Sequence, residues 1–308
     1  MATQTEALAS PRVVTKTRFR FSFVRLVTYL ILILFAIFYI LPIYLILITS
    51  FKQYADVNLY RMWEFPPVIF LKDCTNPALF CFDSFYEAWF GGPSVIIGMG
   101  QAFFNSVTMT IPATIISTFL GSVNGYILSK WKFRYADIVF SLVLFGMFIP
   151  YQAVLIPMTI TLRNMGLYAS LYGLAFVHII YSIPIAALIF RNYYATIPNE
   201  ILEASRIDGG NIFSIYRYVF LPLSPPAIVV VMIWQFTNIW NDFLFAITIV
   251  QNKNQPMTVA LNNIAGSFSV EWNVQMAAAF LTAMPTLLVY IILGRYFLRG
   301  LLAGSLKG

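Results

Sequence analysis

The chain has 308 residues, of which 60% are hydrophobic, 17% are aromatic and only 10% are charged, and its formal net charge is +7. Soluble domains carry roughly 25% charged residues, so this composition excludes an ordinary soluble domain and indicates a multi-pass membrane protein. The basic residues are spread along the chain rather than clustered, which argues against nucleic-acid binding.

Long stretches without charge predict the membrane spans, because about 20 apolar residues cross the ~30 Å hydrocarbon core. Backbone polar groups in lipid must pair within the protein, so these stretches are expected to be helices. The predicted fold class is an all-α membrane protein with six transmembrane helices. Their predicted bounds are 26–50, 102–128, 138–161, 171–190, 226–249 and 277–297.

The placement of lysine and arginine predicts the orientation, because cytoplasmic loops carry an excess of both. Fourteen of the 19 basic residues fall on the side of the N-terminus and five on the other side. Both termini are therefore expected in the cytoplasm. We predict a cytoplasmic lead-in at 1–25, a transmembrane domain at 26–300 with an external loop at 52–101 and a cytoplasmic loop at 191–225, and a cytoplasmic tail at 301–308.

The external loop contains both cysteines of the chain, Cys74 and Cys81. This side of the membrane is predicted to be oxidising, so a disulfide that closes the short segment between them is one possibility. The alternative is two free thiols in a packed loop. The sequence leaves both open.

The cytoplasmic loop is predicted to form a stiff element of two short helices lying along the membrane. Pro198 suits the first turn of a helix, and carboxylates such as Glu200 and Glu203 are stabilised there by the helix dipole. The pair Gly209-Gly210 permits a positive φ and ends that helix, and a second helix at about 211–220 leads to Pro222, which redirects the chain. The alternative interpretation is an ordinary amphipathic loop helix.

The spacing in this loop reads E-A-[AS]-x3-G-x9-[IV]-x-L-P, from Glu203 to Pro222. It resembles the loop by which importer permeases of the ATP-binding cassette (ABC) superfamily engage their ATPase subunits. The resemblance implies that an ATPase-coupling surface is formed by Glu200, Glu203, Ala204, Ser205, Asp208, Gly209, Gly210, Leu221 and Pro222. The family usually has alanine at the position of Ser205, so weakened rather than lost coupling is expected.

Further segments resemble the carbohydrate-importer branch of that superfamily, in particular the smaller permease of the maltose type. The match covers about residues 40–308 and rests on Pro42, Ser50-Phe51-Lys52, Phe104-Asn105-Ser106, Gly125-Tyr126, Ile149-Pro150-Tyr151-Gln152, Trp240-Asn241-Asp242-Phe243 and the glycine-ended tail Gly304 to Gly308. It implies a permease in a prokaryotic inner or plasma membrane that imports a sugar or sugar-like solute by alternating access. The implied partners are a second related permease, two ABC ATPase subunits that bind ATP and Mg²⁺, an extracytoplasmic solute-binding protein and membrane lipid.

Asp242 is the only acidic residue within a predicted span, and such residues tend to face a protein interior or water. On a continuous helix it would share one face with Trp234, Asn238 and Asn241, which offer an aromatic plate and amides for a sugar. These four residues are therefore candidates for the substrate pathway. The alternative is that they join two permease subunits or brace helix ends. His178, the sole histidine, is either a proton relay or a buried residue bonded to a neighbouring helix.

The sequence contains no G-x4-G-K-[ST] phosphate loop, so nucleotide hydrolysis is expected on partner subunits, and no cofactor is expected in this chain. No metal-ligand spacing and no catalytic arrangement is present, so an enzyme is not expected. Three alternative functions remain: a permease for a polyol or glycerol phosphate, a secondary transporter driven by an ion gradient, and a non-transport scaffold. Secondary transporters commonly need more charged residues within the membrane and paired repeats than this sequence shows.

Overall fold

The computed structural model describes residues 23–65, 82–92, 95, 98–131, 133–265 and 271–305, without the side chains of 252 and 297–305. All regular structure in these residues is helical, which confirms the predicted all-α class. The chain divides into two compact units, Met1–Leu45 and Ile46–Gly308. The first unit contains most of helix α1 (Phe23–Ser50), an apolar helix with Pro42 in its interior.

The second unit contains eleven further α-helices among its described residues. They are α2 (Asp83–Phe90), α3 (Gly100–Lys130), α4 (Ala136–Phe145), α5 (Leu155–Asn164), α6 (Leu171–Ala195), α7 (Asn199–Ile207), α8 (Ile212–Ile215), α9 (Pro225–Trp240), α10 (Leu244–Ile249), α11 (Met257–Ala265) and α12 (Trp272–Ser305). Helices α2 and α11 lie in segments that the sequence left as loops.

Four helices are long and apolar enough to cross a membrane: Phe23–Ser50, Gly100–Lys130, Leu171–Ala195 and Trp272–Tyr296. They correspond to the first, second, fourth and sixth predicted spans. Two pairs of helices also qualify if each sharply bent pair is counted as one span, which raises the number to six. The described residues therefore contain four to six candidate spans.

The prediction of one continuous helix at 138–161 is wrong. Ala136–Phe148 and Tyr151–Asn164 meet at 91°. Ile149 and Pro150 between them are extended, with ψ angles of 119° each. The ring of a proline disfavours helical backbone at the preceding residue, which explains the break at this position.

The prediction of one continuous helix at 226–249 is also wrong. Helix α9 ends at Trp240, and α10 begins only at Leu244. At its other end, α9 starts with two prolines, which suit a helix start because their missing N–H groups need no partner there. The preceding segment, Ile212–Phe220, meets α9 at 90°.

Helices α3 and α6 form the close-packed centre of the second unit. A side chain on Gly121 would overlap the Cβ of Ala186, and one on Gly125 would overlap the Cβ of Phe190. Small residues on one helix let a second helix approach closely, which is how helices gain packing energy in a lipid environment. This pair positions the loop at 191–225, because α6 leads directly into it.

Candidate functional site

The first helix of the loop, α7, forms where the sequence predicts it. Pro198 directly precedes the helix, with φ −55° and ψ 141°, and Glu200 lies in the first turn. Glu200, Glu203 and Ala204 are exposed. The carboxylates therefore face outward near the positive end of the helix dipole.

Glycine residues end α7, and the two have different physical roles. Gly209 has φ +81° with open space around it, so its conformation rather than its surroundings favours glycine. Gly210 is tightly surrounded, because a Cβ there would lie 2.7 Å from both the Ser205 carbonyl oxygen and Ile215 Cγ1. The predicted positive φ therefore applies to Gly209 alone.

The hydroxyl of Ser205 does not extend from the surface of α7. Its Oγ donates to the Ile201 carbonyl oxygen at 2.7 Å, one turn back in the same helix. The outer surface at this position therefore stays nearly as small as an alanine would make it. A partner that requires a small residue here could still approach closely.

The second helix of the loop is only partly α-helical. Asn211 and Ser214 form a capping box at the start of α8, which stabilises its first turn. The next five residues, Tyr216–Phe220, form a π-helical turn. Leu221 and Pro222 then begin the 90° corner that leads to α9.

The loop combines an exposed apolar surface with a buried anchor. Ile207 is 87% exposed and Phe213 is 73% exposed, whereas Leu202 on the same element is only 5% exposed. Leu202 packs in an apolar cluster with Tyr126 of α3 and Phe190 of α6. The loop is thus fastened to the helix pair on one side and presents apolar side chains on the other.

Two basic side chains add to this anchoring. Lys130, the last residue of α3, donates from Nζ to the Ile197 carbonyl oxygen at 2.6 Å and to Asn199 Oδ1 at 2.9 Å. The Arg206 guanidinium lies 4.4 Å from the ring centroid of Trp131, a favourable cation–π distance. Both residues are among the fourteen basic residues that predict the orientation, but the sequence did not predict that they anchor the loop. The available signals were their positions, at the end of a span for Lys130 and within the loop for Arg206.

Asp242 lies in the break between α9 and α10 rather than on a helix face. Its carboxylate accepts from the backbone N–H of Phe245 at 3.3 Å and of Ala246 at 3.0 Å, so it caps α10. Its Oδ2 also lies 3.4 Å from His178 Nε2 of α6, and the two side chains are only 12% and 7% exposed. This arrangement favours the alternative in which Asp242 braces a helix end and His178 is a buried partner from the neighbouring helix.

The predicted face shared by four pathway candidates is interrupted, because α9 ends before Asp242. Trp234 and Asn238 do lie one turn apart on α9 and are both exposed, and Asn238 Nδ2 donates to the Trp234 carbonyl oxygen at 2.8 Å. Asn241 follows the last helical residue and is exposed. The exposed candidates are therefore Trp234, Asn238 and Asn241.

Two other candidate features lie outside the described residues. The first is the possible disulfide between Cys74 and Cys81, and the second is the end of the tail at 306–308.

Comparison with known proteins matches residues 113–302 to the family described as the binding-protein-dependent transport system inner membrane component. The match covers more than half of the chain. The chain belongs to this family. It is therefore a transport subunit of a multi-pass membrane system, and the apolar helices agree with that assignment.

Individual relatives of this permease support the same assignment. It is 46% identical over 186 residues to a probable ABC transporter permease protein of Pyrococcus horikoshii, over 60% of this chain and 68% of the relative. It is 40% identical over 225 residues to a xylose/arabinose import permease protein of Haloferax volcanii, over 66% and 73% of the two chains. A bacterial ABC transporter for the import of the acidic polysaccharide alginate shares the fold, with a TM-score of 0.69 at 20% identity over 89% of this chain and 96% of that chain.

The capping role of Asp242 gives a prediction about stability. Asp242→Ala removes the acceptor for two backbone N–H groups and should lower the unfolding free energy of the solubilised protein by about 1–2 kcal/mol. Asp242→Asn retains one acceptor oxygen and should lose less. Thermal unfolding of the three proteins measures the difference, and Asn241→Ala, at the exposed neighbouring position, is the control. Equal unfolding midpoints for the parent and Asp242→Ala would contradict the capping role.

Proposed function

We propose that this chain is the permease subunit of an ATP-driven ABC importer that carries a sugar or sugar-like solute into the cell. The family depends on a binding protein, and a relative at 40% identity is a xylose/arabinose import permease. The observation that carries the coupling role is the loop 191–225, whose outer side exposes Glu203 and Ile207 while Leu202 is buried against α3 and α6. A polyol or a glycerol phosphate is the alternative substrate class.

The proposed topology takes α4 with α5 as one bent span. In the second bent pair only α9 crosses the membrane, because α8 belongs to the loop 191–225 and meets α9 at 90°. The six spans are then α1, α3, α4 with α5, α6, α9 and α12. The charge asymmetry of the sequence supports a cytoplasmic position for both termini and for α7. The proposed location is the inner or plasma membrane of a prokaryotic cell.

The proposed assembly contains a second related permease, two ABC ATPase subunits and an extracytoplasmic solute-binding protein. ATP and Mg²⁺ bind to the ATPase subunits, and hydrolysis takes place there. Closure of the ATPases on ATP would displace α7 and favour one of two orientations of the transport pathway. A ligand shifts such an equilibrium only by its difference in affinity for the two states, so the solute and ATP must each prefer one of them.

The pathway proposal rests on α9 and the residue that follows it. The exposed ring of Trp234 offers a flat apolar surface for the C–H face of a sugar, and Asn238 and Asn241 offer amides for hydroxyl groups. Asp242 contributes by fixing the start of α10 beside them. The bulk of the sugar contacts is left to the companion permease, as the resemblance to the maltose type implies.

The coupling role predicts that changes in α7 separate ATP hydrolysis from transport. Glu203→Ala and Gly209→Val should lower the amount of solute imported per ATP hydrolysed by at least about fivefold, a typical size for coupling between sites. Purified complexes in proteoliposomes provide both rates. Gly166→Val is the matched control, because Gly166 also has a positive φ (+71°) and open surroundings but lies outside the loop.

A general effect of backbone strain would lower the ratio in Gly166→Val as well, whereas a coupling role confines the loss to the loop variants. Full transport per ATP in both Glu203→Ala and Gly209→Val would contradict the assignment.

The substrate class is tested on the same proteoliposomes with radiolabelled xylose, arabinose, glucose, glycerol and glycerol 3-phosphate. We expect ATP-dependent uptake of at least one of the three sugars when the binding protein is present. Uptake of only glycerol or its phosphate would favour the alternative class. Uptake by this chain alone, driven by an ion gradient, would contradict an ABC importer altogether.

A further inference from the structure

Four buried hydroxyl groups from four segments meet where the coupling loop (residues 191–225) joins α3, α6 and α9. They belong to Ser122 of α3, Tyr194 of α6, Tyr216 of the π-helical turn and Ser224, which immediately precedes α9. All four residues are buried. Their positions span 102 residues of sequence, so the cluster exists only in the folded chain.

The directions of the hydrogen bonds in this cluster follow from the number of protons. Ser224 Oγ donates its only proton to the Phe220 carbonyl oxygen. At its 2.7 Å contact with Tyr194 Oη, Ser224 must therefore accept, and Tyr194 must donate. The tyrosine hydroxyl also has a single proton, which this bond uses.

The same reasoning orders the remaining bonds. Tyr194 Oη lies 2.7 Å from Ser122 Oγ and must accept there, so Ser122 donates. Ser122 Oγ in turn accepts from Tyr216 Oη at 2.9 Å. The protons thus point in one direction around a chain of bonds that begins on Tyr216 and ends on the carbonyl of Phe220, the first and last residues of the π-helical turn.

A chain of this kind ties its members together more firmly than separate contacts do. Hydrogen bonds aligned head to tail polarise and strengthen one another in a low-dielectric interior. Removing one member also leaves a buried neighbour without its partner, which is costly. The surrounding side chains are apolar or aromatic, including Tyr126 and Phe190. Movement of one segment relative to the others would therefore have to break buried bonds.

The chain of bonds also spans the 90° corner between Ile212–Phe220 and α9. Ser224 lies in this corner, and its bond to Phe220 joins the two arms. Without these bonds, bending within Leu221–Ser224 would still be opposed by the Tyr193 hydroxyl, which donates to the Leu223 carbonyl oxygen at 2.6 Å, and by backbone hydrogen bonds of the turn, but one buried tie to α3 and α6 would be lost. Losing this tie would let the loop move with less effect on α3 and α6.

We propose that the hydroxyl chain, centred on Tyr194, locks the coupling loop to α3 and α6 so that displacement of α7 is transmitted to this helix pair. Tyr194 is a positioning residue in this account, since it acts through the loop and touches neither ATP nor solute. The inference rests on the proposed coupling function. The hydroxyl chain provides the contacts through which a displacement of the loop reaches α3 and α6.

The first test compares Tyr194→Phe with the parent complex in proteoliposomes. The substitution deletes one oxygen atom and two bonds while keeping the ring. ATP hydrolysis should stay within about twofold of the parent, whereas transport of a labelled sugar per ATP should fall about five- to tenfold. Tyr172→Phe is the control, because Tyr172 lies on the same helix and is exposed.

A purely architectural role would lower the yield of the complex and its ATP hydrolysis together, and would leave the sugar imported per ATP unchanged. That result would overturn the proposal. If Glu203→Ala and Gly209→Val lower the ratio but Tyr194→Phe does not, only this inference fails. If none of the three lowers it, the proposed coupling function fails as well.

The second test measures the distance between the π-helical turn and α6 in the complex, and the only ligand it needs is Mg·ATP. Spin labels are placed at Tyr218→Cys on the π-helical turn and Asn192→Cys on α6, both exposed positions, with Cys74 and Cys81 replaced by serine. The parent complex should give one narrow distance distribution with and without ATP. Tyr194→Phe should broaden it or make it depend on ATP. A narrow, ATP-independent distribution in Tyr194→Phe, or a distance that already shifts with ATP in the parent, would overturn the proposal.

Discussion

The close packing of α3 on α6 is the constraint on which the rest of the structure depends. Gly121 and Gly125 bring the two backbones together because no side chain separates them from Ala186 and Phe190. The pair then holds the loop 191–225 through Lys130 and the buried Leu202. The proposed coupling role requires a rigid support for this loop, and the α3–α6 pair supplies it.

The second constraint is the need to pair polar groups in an apolar interior. Where helices break, the freed backbone groups find side-chain partners: Asp242 receives two N–H groups of α10, and Thr258 donates to the Asp242 carbonyl oxygen. Buried side chains bind backbone in the same way, as Gln235 does with the Ser182 carbonyl oxygen. Non-helical backbone within a membrane domain is tolerated when such partners exist. The side chains of Gln235, Asp242 and Thr258 thus have a structural role that is independent of any contact with a solute.

The sequence predicted those features that depend on local composition. Apolar length gave four of the spans, and Pro198 and Gly209 gave the bounds of α7 within a residue or two. The breaks in two predicted helices, 138–161 and 226–249, were missed because apolar length does not register a change of direction at Pro150 or a helix end at Trp240. The cluster at Tyr194 was missed for a different reason. Its hydroxyls come from positions far apart in the chain, and each alone is an ordinary residue of an apolar helix. Only tertiary structure brings them together.

We propose above all that energy enters this chain through the exposed side of the loop 191–225, where an ATPase subunit binds. A photo-crosslinking amino acid at Ile207, which is 87% exposed, tests it most directly in the assembled complex, with Tyr60, which is 94% exposed and predicted to lie outside, as the comparison. We expect a covalent adduct between position 207 and an ATPase subunit, and no such adduct from position 60. An ATPase adduct from position 60, or none from position 207 in a complex that retains its ATPases, would contradict it.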